Sequence, residues 1–565
     1  MRHKKIPVLF TAVAVFMMIT ASLSATTENQ LLRILDEELN YNFEKLQHAD
    51  SAELYFMSYQ VLDERQINFS AQLGVLNRED DNHGRYLDIQ TRVGSYAMDN
   101  TREIPGRGRG YSYGGSAELP LNNNEKGIRM KLWEETDQNF REAQKRFTNV
   151  LTGTAVKVEA EDQSDDFSRE EPHVFIGDEV SLDFDPRLWS EKLKRYSEIF
   201  LNHPEIERSS VSLSATSRNN YYVNTEGSRI QDGQKYIRLT IYCASKAEDG
   251  MNLWRHEGFD AADFSRLPGD QKVIETIQTL IDELIALKQA PLAEPYSGPA
   301  ILTGRASGVF FHEIFGHRME GHRQKSESEG QTFTKKVDEQ ILPEFINVYS
   351  DPSVETYHGV DLRGYYRYDD EGIPGKRVTL VDHGVLRNFM MSRSPIENFP
   401  HSNGHGRKQR GHDPVSRQSN LIIESEKAVD FAQLKKMLIE ECRRQEKPYG
   451  LIFYDISGGF TFTGRFMPQA FKVNPLIVYK VYVEDGREEL IRGVDIVGTP
   501  LTSFSKIIMA ADDPDIFNGT CGAESGSVPV SAISPSLLLS EIEVERAQKS
   551  QQRPPLLPSP LTKQQ

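Results

Sequence analysis

Cysteine is almost absent: Cys243, Cys442 and Cys521 are the only three in 565 residues. An odd number forbids complete pairing within the chain and leaves at least one thiol to explain. Excess positive charge is missing too. With 66 Lys and Arg against 83 Asp and Glu, the net charge is −17. Phosphate neutralisation needs a basic face, so nucleic acid is excluded as a partner, and the short run Arg407-Lys408-Gln409-Arg410 does not amount to a groove. Past the N-terminus no apolar run is long enough to span a bilayer, and no tandem repeat is visible. What remains is a globular composition, 38% hydrophobic and 26% charged, in a chain long enough for two to four domains.

The N-terminal exception has a function of its own. Arg2, His3, Lys4 and Lys5 precede an apolar stretch, Ile6–Ala21, followed by small residues at Ser22, Ser24 and Ala25. This predicts a signal peptide over 1–25, hence export to the periplasm or beyond, with no membrane span after cleavage. The rival is an uncleaved anchor. No cysteine lies nearby, which argues against a lipoprotein.

The remaining pattern predicts an α+β, multi-domain chain: an α/β domain over 26–120, a second over 121–292, a β-rich domain over 293–546 and a disordered Gln/Pro/Ser-rich tail over 547–565. Thr27-x-x-Gln30 reads as a capping box for an amphipathic helix carrying Leu31, Leu32, Leu35, Leu39 and Phe43. Strands are expected at 54–61, 67–75, 86–93, 209–215, 221–230 and 235–243, with helices at 124–150, 188–201 and 270–288. Gly106–Gly110 reads as a surface loop and 159–171 as a solvated acidic one. In the third domain, 324–338 is expected to be a mobile connection. Strands are expected over 365–382 and 385–391, and a helix over 431–445.

That domain opens with Phe311-His312-Glu313-Ile314-Phe315-Gly316-His317-Arg318-Met319-Glu320-Gly321-His322. Two imidazoles with a carboxylate beside the first are what a hydrolytic metal site requires: neutral ligands and a proton acceptor. Histidines at i and i+4 lie about 40° apart around a helix, but these, at i and i+5, would lie about 140° apart. Either the helix bulges or it ends near Gly316 and the next turn presents His317. His322 is an alternative ligand or an outer partner, and Glu320 could orient an imidazole.

Other candidates lie far away in sequence. Cys521 stands in the glycine-bounded turn Gly519-Thr520-Cys521-Gly522, where backbone freedom allows a thiolate to be aimed. Cys243 reads as a buried strand residue and Cys442 as incidental. Gly458-Gly459 would admit close approach of a substrate backbone. His401, His405 and His412 suggest either a second metal cluster or a substrate-contacting loop, and Asp369-Asp370-Glu371 a stabilised turn rather than a calcium loop.

Taken together, these segments resemble the TldD/PmbA family of metallopeptidases. The likeness rests on His312-Glu313-Ile314-Phe315-Gly316-His317 with Glu320-Gly321, on Asp369-Asp370-Glu371-Gly372, on Asp455-Ile456-Ser457-Gly458-Gly459, and on Gly519-Thr520-Cys521-Gly522 with Val528-Pro529-Val530. The resemblance implies a zinc site of His312, His317 and Cys521, with Glu313 as general base. It also implies dimers, either of like chains or of a metal-bearing subunit with a PmbA/TldE-like sister that lacks the metal residues. This chain retains all four and so is similar to the TldD-type subunit. It departs from the pattern at Ser527, where the family usually carries glutamine, and around Ala532–Pro535. The expected activity is hydrolysis of extended or unfolded peptides. The alternatives are an inactive peptide-binding partner and a metal-dependent amidase or esterase.

Overall fold

A long stretch in which apolar residues alternate, broken by paired positive-φ residues, folds as a hairpin, and this builds the first half of the chain. In the computed structural model, residues 29–47, 52–104, 115–154, 162–326, 328–461, 463–464, 471–547, 557 and 560–561 are described. The expected signal peptide, the Gly106–Gly110 loop and nearly all of the tail lie outside them. No helix among the described residues is long and apolar enough to cross a membrane.

The strands Leu54–Gln72 and Val75–Val93 pair antiparallel around Leu73-Gly74. Both turn residues have positive φ, +48° and +80°, as a two-residue hairpin of right-handed twist requires. Two long strands thus stand where three were expected, because 67–75 runs into the turn. A second hairpin, Arg208–Asn224 with Arg229–Lys246, turns at Thr225-Glu226-Gly227-Ser228. The expected strand 221–230 therefore straddles a turn, and the polar 216–220 lies within a strand. Leu54–Gln72 pairs with Arg208–Asn224, so strands from both the 26–120 and 121–292 stretches share one seven-stranded sheet. Helices cover it. Gln30–Leu46 is capped by the Asn29 side chain, which accepts from Leu31 N, in place of the expected capping box, since Thr27 lies outside the described residues. Glu125–Thr154, Pro186–Glu198 and Asp270–Gln289 complete the layer.

From residue 296 onward two large sheets form, with two small two-stranded ones beside them. In one, Tyr296–Leu302, Tyr449–Thr461, Phe471–Tyr482, Val494–Gly498 and Leu537–Arg546 pair in succession, and the last pairs back onto the first, closing a ring. In the other, of six strands, the order ends with Asn420–Ser425, Gly526–Ser534 and, outermost, Asp515–Ala523. The helix Gly304–Ile314 packs against Tyr449–Thr461 and the Asp515–Ser534 hairpin. Phe310, Phe311, Ile314 and Phe315 lie in the main core of this half. Buried Asp455 ties Tyr449–Thr461 to the first sheet by accepting from Arg255 at 2.6 Å. Cys442 is no incidental surface residue, for it is buried where its helix, Phe431–Arg444, packs. Two expectations need revising. Residues 328–338 fold as turns and bury Phe333 completely. Within 365–391 only Val378–Asp382 and Val385–Leu386 pair, around His383-Gly384.

Candidate metal centre

The i, i+5 spacing is resolved by ending the helix. It stops at Ile314, Phe315 caps it, and a 3-10 turn over Gly316–Met319 carries His317 back toward His312. The two rings lie edge to face, 5.2 Å between centroids. Gly316 has no room for a side chain, because a Cβ would sit 1.8 Å from Gln418 Oε1. Gln418 in turn donates through Nε2 to the His312 carbonyl at 3.2 Å, holding the end of the helix.

Cys521 arrives on the outermost strand, Asp515–Ala523, opposite Val528. Its Sγ lies 3.4 Å from His317 Nε2. One ligand atom each from His312, His317 and Cys521 falls within 4.8 Å of the others, and all three side chains are buried. Among the described residues this is the only group of three or more His, Cys, Asp or Glu that could hold an ion. Burial works against charge on the Cys521 sulfur, yet His317 and His312 outweigh it and hold the thiol well below its ordinary range. For His317 burial again opposes the charge, while Cys521 and Glu320 raise the imidazole well above its usual value.

An outer ring of charges fixes these groups. Glu320 is completely buried; burial raises its pKa, but His317 and Arg323 bring it down to about 2. Its Oε2 faces His317 Nδ1 at 3.4 Å and accepts from Arg323 Nε at 2.8 Å, while Arg417 Nε approaches Oε1 at 3.4 Å. Arg417, equally buried, donates to the carbonyls of Cys521 (2.7 Å) and Gly526 (2.9 Å) and to Ser525 Oγ (2.8 Å). Glu320 thus lies beside the His317 ring, held by Arg323. His322 does not join the ligand cluster but pairs with Glu524, which also accepts from Arg323 at 2.7 Å. Arg323, Arg417, Gln418 and Glu524 were missed from sequence. Arg417, Gln418 and Glu524 meet their partners only across about a hundred or more residues, which no local pattern signals, whereas Arg323 stands three residues from Glu320, a spacing that could have flagged it.

A cavity of about 320 Å³ opens on this cluster, lined by Glu313, Arg323, Gly459–Thr461 and Thr520–Glu524 as well as the three ligand candidates. Gly459 packs against Glu313: a Cβ there would lie 2.6 Å from the Lys472 carbonyl and 3.2 Å from Glu313 Cγ. Gly458, at φ +143°, lies within the last of the register shifts of this strand, between Ile456 and Gly459. The other histidines stay away. His405 is buried and bonded to Asn403 and Ser350 Oγ, His401 is exposed beside Glu170, and His412 sits by the Gly526 turn. Asp369 accepts from the backbone N–H groups of Glu371, Ile373 and Gly406, a turn-holding role.

The PmbA/TldA metallopeptidase C-terminal domain profile matches residues 295–546, the stretch that contains every group of this cluster. Over that stretch the chain matches the TldD/PmbA family. A metalloprotease of Methanocaldococcus jannaschii is 26% identical over 328 residues, 58% of this chain and 67% of that one. A metalloprotease TldD homolog of Haemophilus influenzae is 25% identical over 359 residues, 60% and 68% of the two chains. Among solved structures, TldE from Thermococcus kodakarensis superposes with a TM-score of 0.58 at 14% identity, covering 91% of this chain and all of that one. A Thermotoga maritima protein gives 0.60 at 15%, covering 90% and 99%. These likenesses establish the TldD/PmbA fold, and homologue names agree on a metallopeptidase.

Proposed function

We propose that the chain is a zinc metallopeptidase acting on extended peptides. The observation that carries this reading is the convergence of His312, His317 and Cys521 ligand atoms within 4.8 Å beside Glu313. The donor set fits zinc, since two imidazoles and a thiolate are borderline-soft ligands that leave a fourth position open. His312 Nδ1, buried with no hydrogen-bond partner among the described residues, adds to that fit. When bound, zinc would supply Lewis acidity that polarises a peptide carbonyl and brings the pKa of a water toward about 7.

The remaining steps belong to the chain's own groups. Glu313 lines the cavity beside the ligands and acts as general base, accepting a proton from the attacking water and returning it to the leaving amine. Glu320, fixed by Arg323 and Arg417, holds the His317 ring. The substrate backbone lies between Gly459–Thr461 and the Thr520–Ala523 end of the outermost strand, adding as a strand, which makes recognition depend on main chain rather than one side chain. We further propose export by residues 1–25, assembly as a homodimer or with a TldE-like sister, and a domain division at 292.

The test is metal content together with hydrolysis of unmodified peptides by the mature chain, with and without chelator. About one zinc per chain and chelator-sensitive cleavage are expected. Cleavage of amide or ester surrogates alone would favour the amidase reading, and metal-free protein without activity the binding-partner reading. Cleavage of folded globular proteins as readily as short peptides would reject strand addition.

A further inference from the structure

A second cavity, of about 280 Å³, lies on the other side of the hairpin that carries Cys521. It is bounded by Ser527–Pro529 of that hairpin, by Arg407–Arg410, and by residues of the seven-stranded sheet including Glu64 and Arg218. Its acidic groups are all engaged. Glu64 accepts from Arg218 and lies 3.3 Å from Arg410; Asp232 pairs with Arg367 at 2.8 Å. Asp369 is taken up by three backbone N–H groups, and Asp370 by Gln60 (3.1 Å) and Lys408 N (2.9 Å).

One cation is not matched. Arg407, 6% exposed, stacks 4.8 Å over the Tyr366 ring and donates one hydrogen bond, through Nη1 to the Gln418 carbonyl. No carboxylate among the described residues lies within ion-pair distance of it. A buried guanidinium whose remaining donors meet no partner among the described residues can take an anion in the polar cavity it lines. Arg218 and Arg410 line the same wall and share the carboxylate of Glu64, and Arg218 also faces the charge of Asp370.

We propose that this cavity binds a carboxylate group on Arg407, as a site separate from the metal centre. A planar monoanion matches the guanidinium fork. The carboxylates already lining the wall would repel a dianion such as phosphate. The site is independent of the zinc reading, although Gln418, which receives Arg407, also holds the His312 carbonyl.

The experiment is calorimetric titration of the full mature chain, stripped of metal so that no ion can capture the probe. Acetate, N-acetylalanine, N-acetylglutamate amide and N-acetylalanine amide serve as probes at constant ionic strength. Saturable binding of the carboxylates, and none of the neutral amide, is expected. Preference for N-acetylalanine would identify a chain terminus as the natural source, and preference for N-acetylglutamate amide an acidic side chain. Arg407→Gln should weaken binding at least tenfold, with Arg407→Lys recovering part of it. Asp370→Asn, which keeps Arg407, should tighten it severalfold and serves if Arg407→Gln does not fold. Tighter binding of inorganic phosphate, equal binding to wild type and Arg407→Gln, or no saturable binding by wild type would overturn the proposal.

Discussion

His312 and His317 meet a sulfur that lies 204 residues beyond the second of them, whereas His401, His405 and His412, equally clustered in sequence, go separate ways. The first pair leaves the end of a buried helix through a turn that redirects one ring, and a hairpin returns beneath it. The second group sits on a loop whose middle member is absorbed by hydrogen bonds to Asn403 and Ser350 while its outer members face elsewhere. Histidine density does not make a metal centre. Convergence does, and in this chain it depends on a long-range strand pair and a ring of buried ions behind it.

The sharpest way to break the comparison is at Glu313. Glu313→Gln should retain metal and lose turnover by about 10²–10⁴-fold, as removal of a general base does. Equal peptidase rates in variant and wild type would remove Glu313 from the mechanism. Next comes Cys521→Ala, which deletes a ligand and should lower metal affinity by more than the roughly 10–100-fold typical of outer partners. His412→Ala, by contrast, should leave metal content unchanged, and zinc loss from it would erase the distinction between the two groups. Glu320→Gln acts through His317 and should weaken metal binding about 10–100-fold, read by competition with a chromogenic chelator. Arg417→Met would leave buried Glu320 to Arg323 and His317 and would remove the hydrogen bonds to the Cys521 and Gly526 carbonyls, and should cost about 1–3 kcal/mol in urea unfolding.

The smallest effect is a pH dependence centred on His405. Burial pushes its imidazole down to about 3, so the folded ring stays neutral while an unfolded one takes up a proton below about 6.5. Between those values the unfolded chain binds more protons. The contribution of His405 is therefore intact above about pH 6.5 and declines as pH falls toward 3. Comparing urea midpoints at pH 7 and 5, His405→Asn should show a flatter dependence than wild type, and an unchanged slope would contradict the neutral buried ring.

Much of the fold was legible because helices announce themselves locally. Glu125–Thr154, Asp270–Gln289 and Phe431–Arg444 lie where apolar spacing placed them. Strand limits were harder to read: Leu73-Gly74 turns where a strand over 67–75 was expected, and the polar 216–220 lies inside a strand. His312, Glu313 and His317 were recognisable as a set of residue types, and their chemistry follows from composition alone. That Cys521 closes on them, that Glu524 claims His322, and that Arg417 joins Glu320 were settled only by packing. The physical reason is range. Periodicity and capping act over a few residues and are written into neighbouring side chains, whereas a buried charge selects its partner by distance in space, which only the folded chain defines.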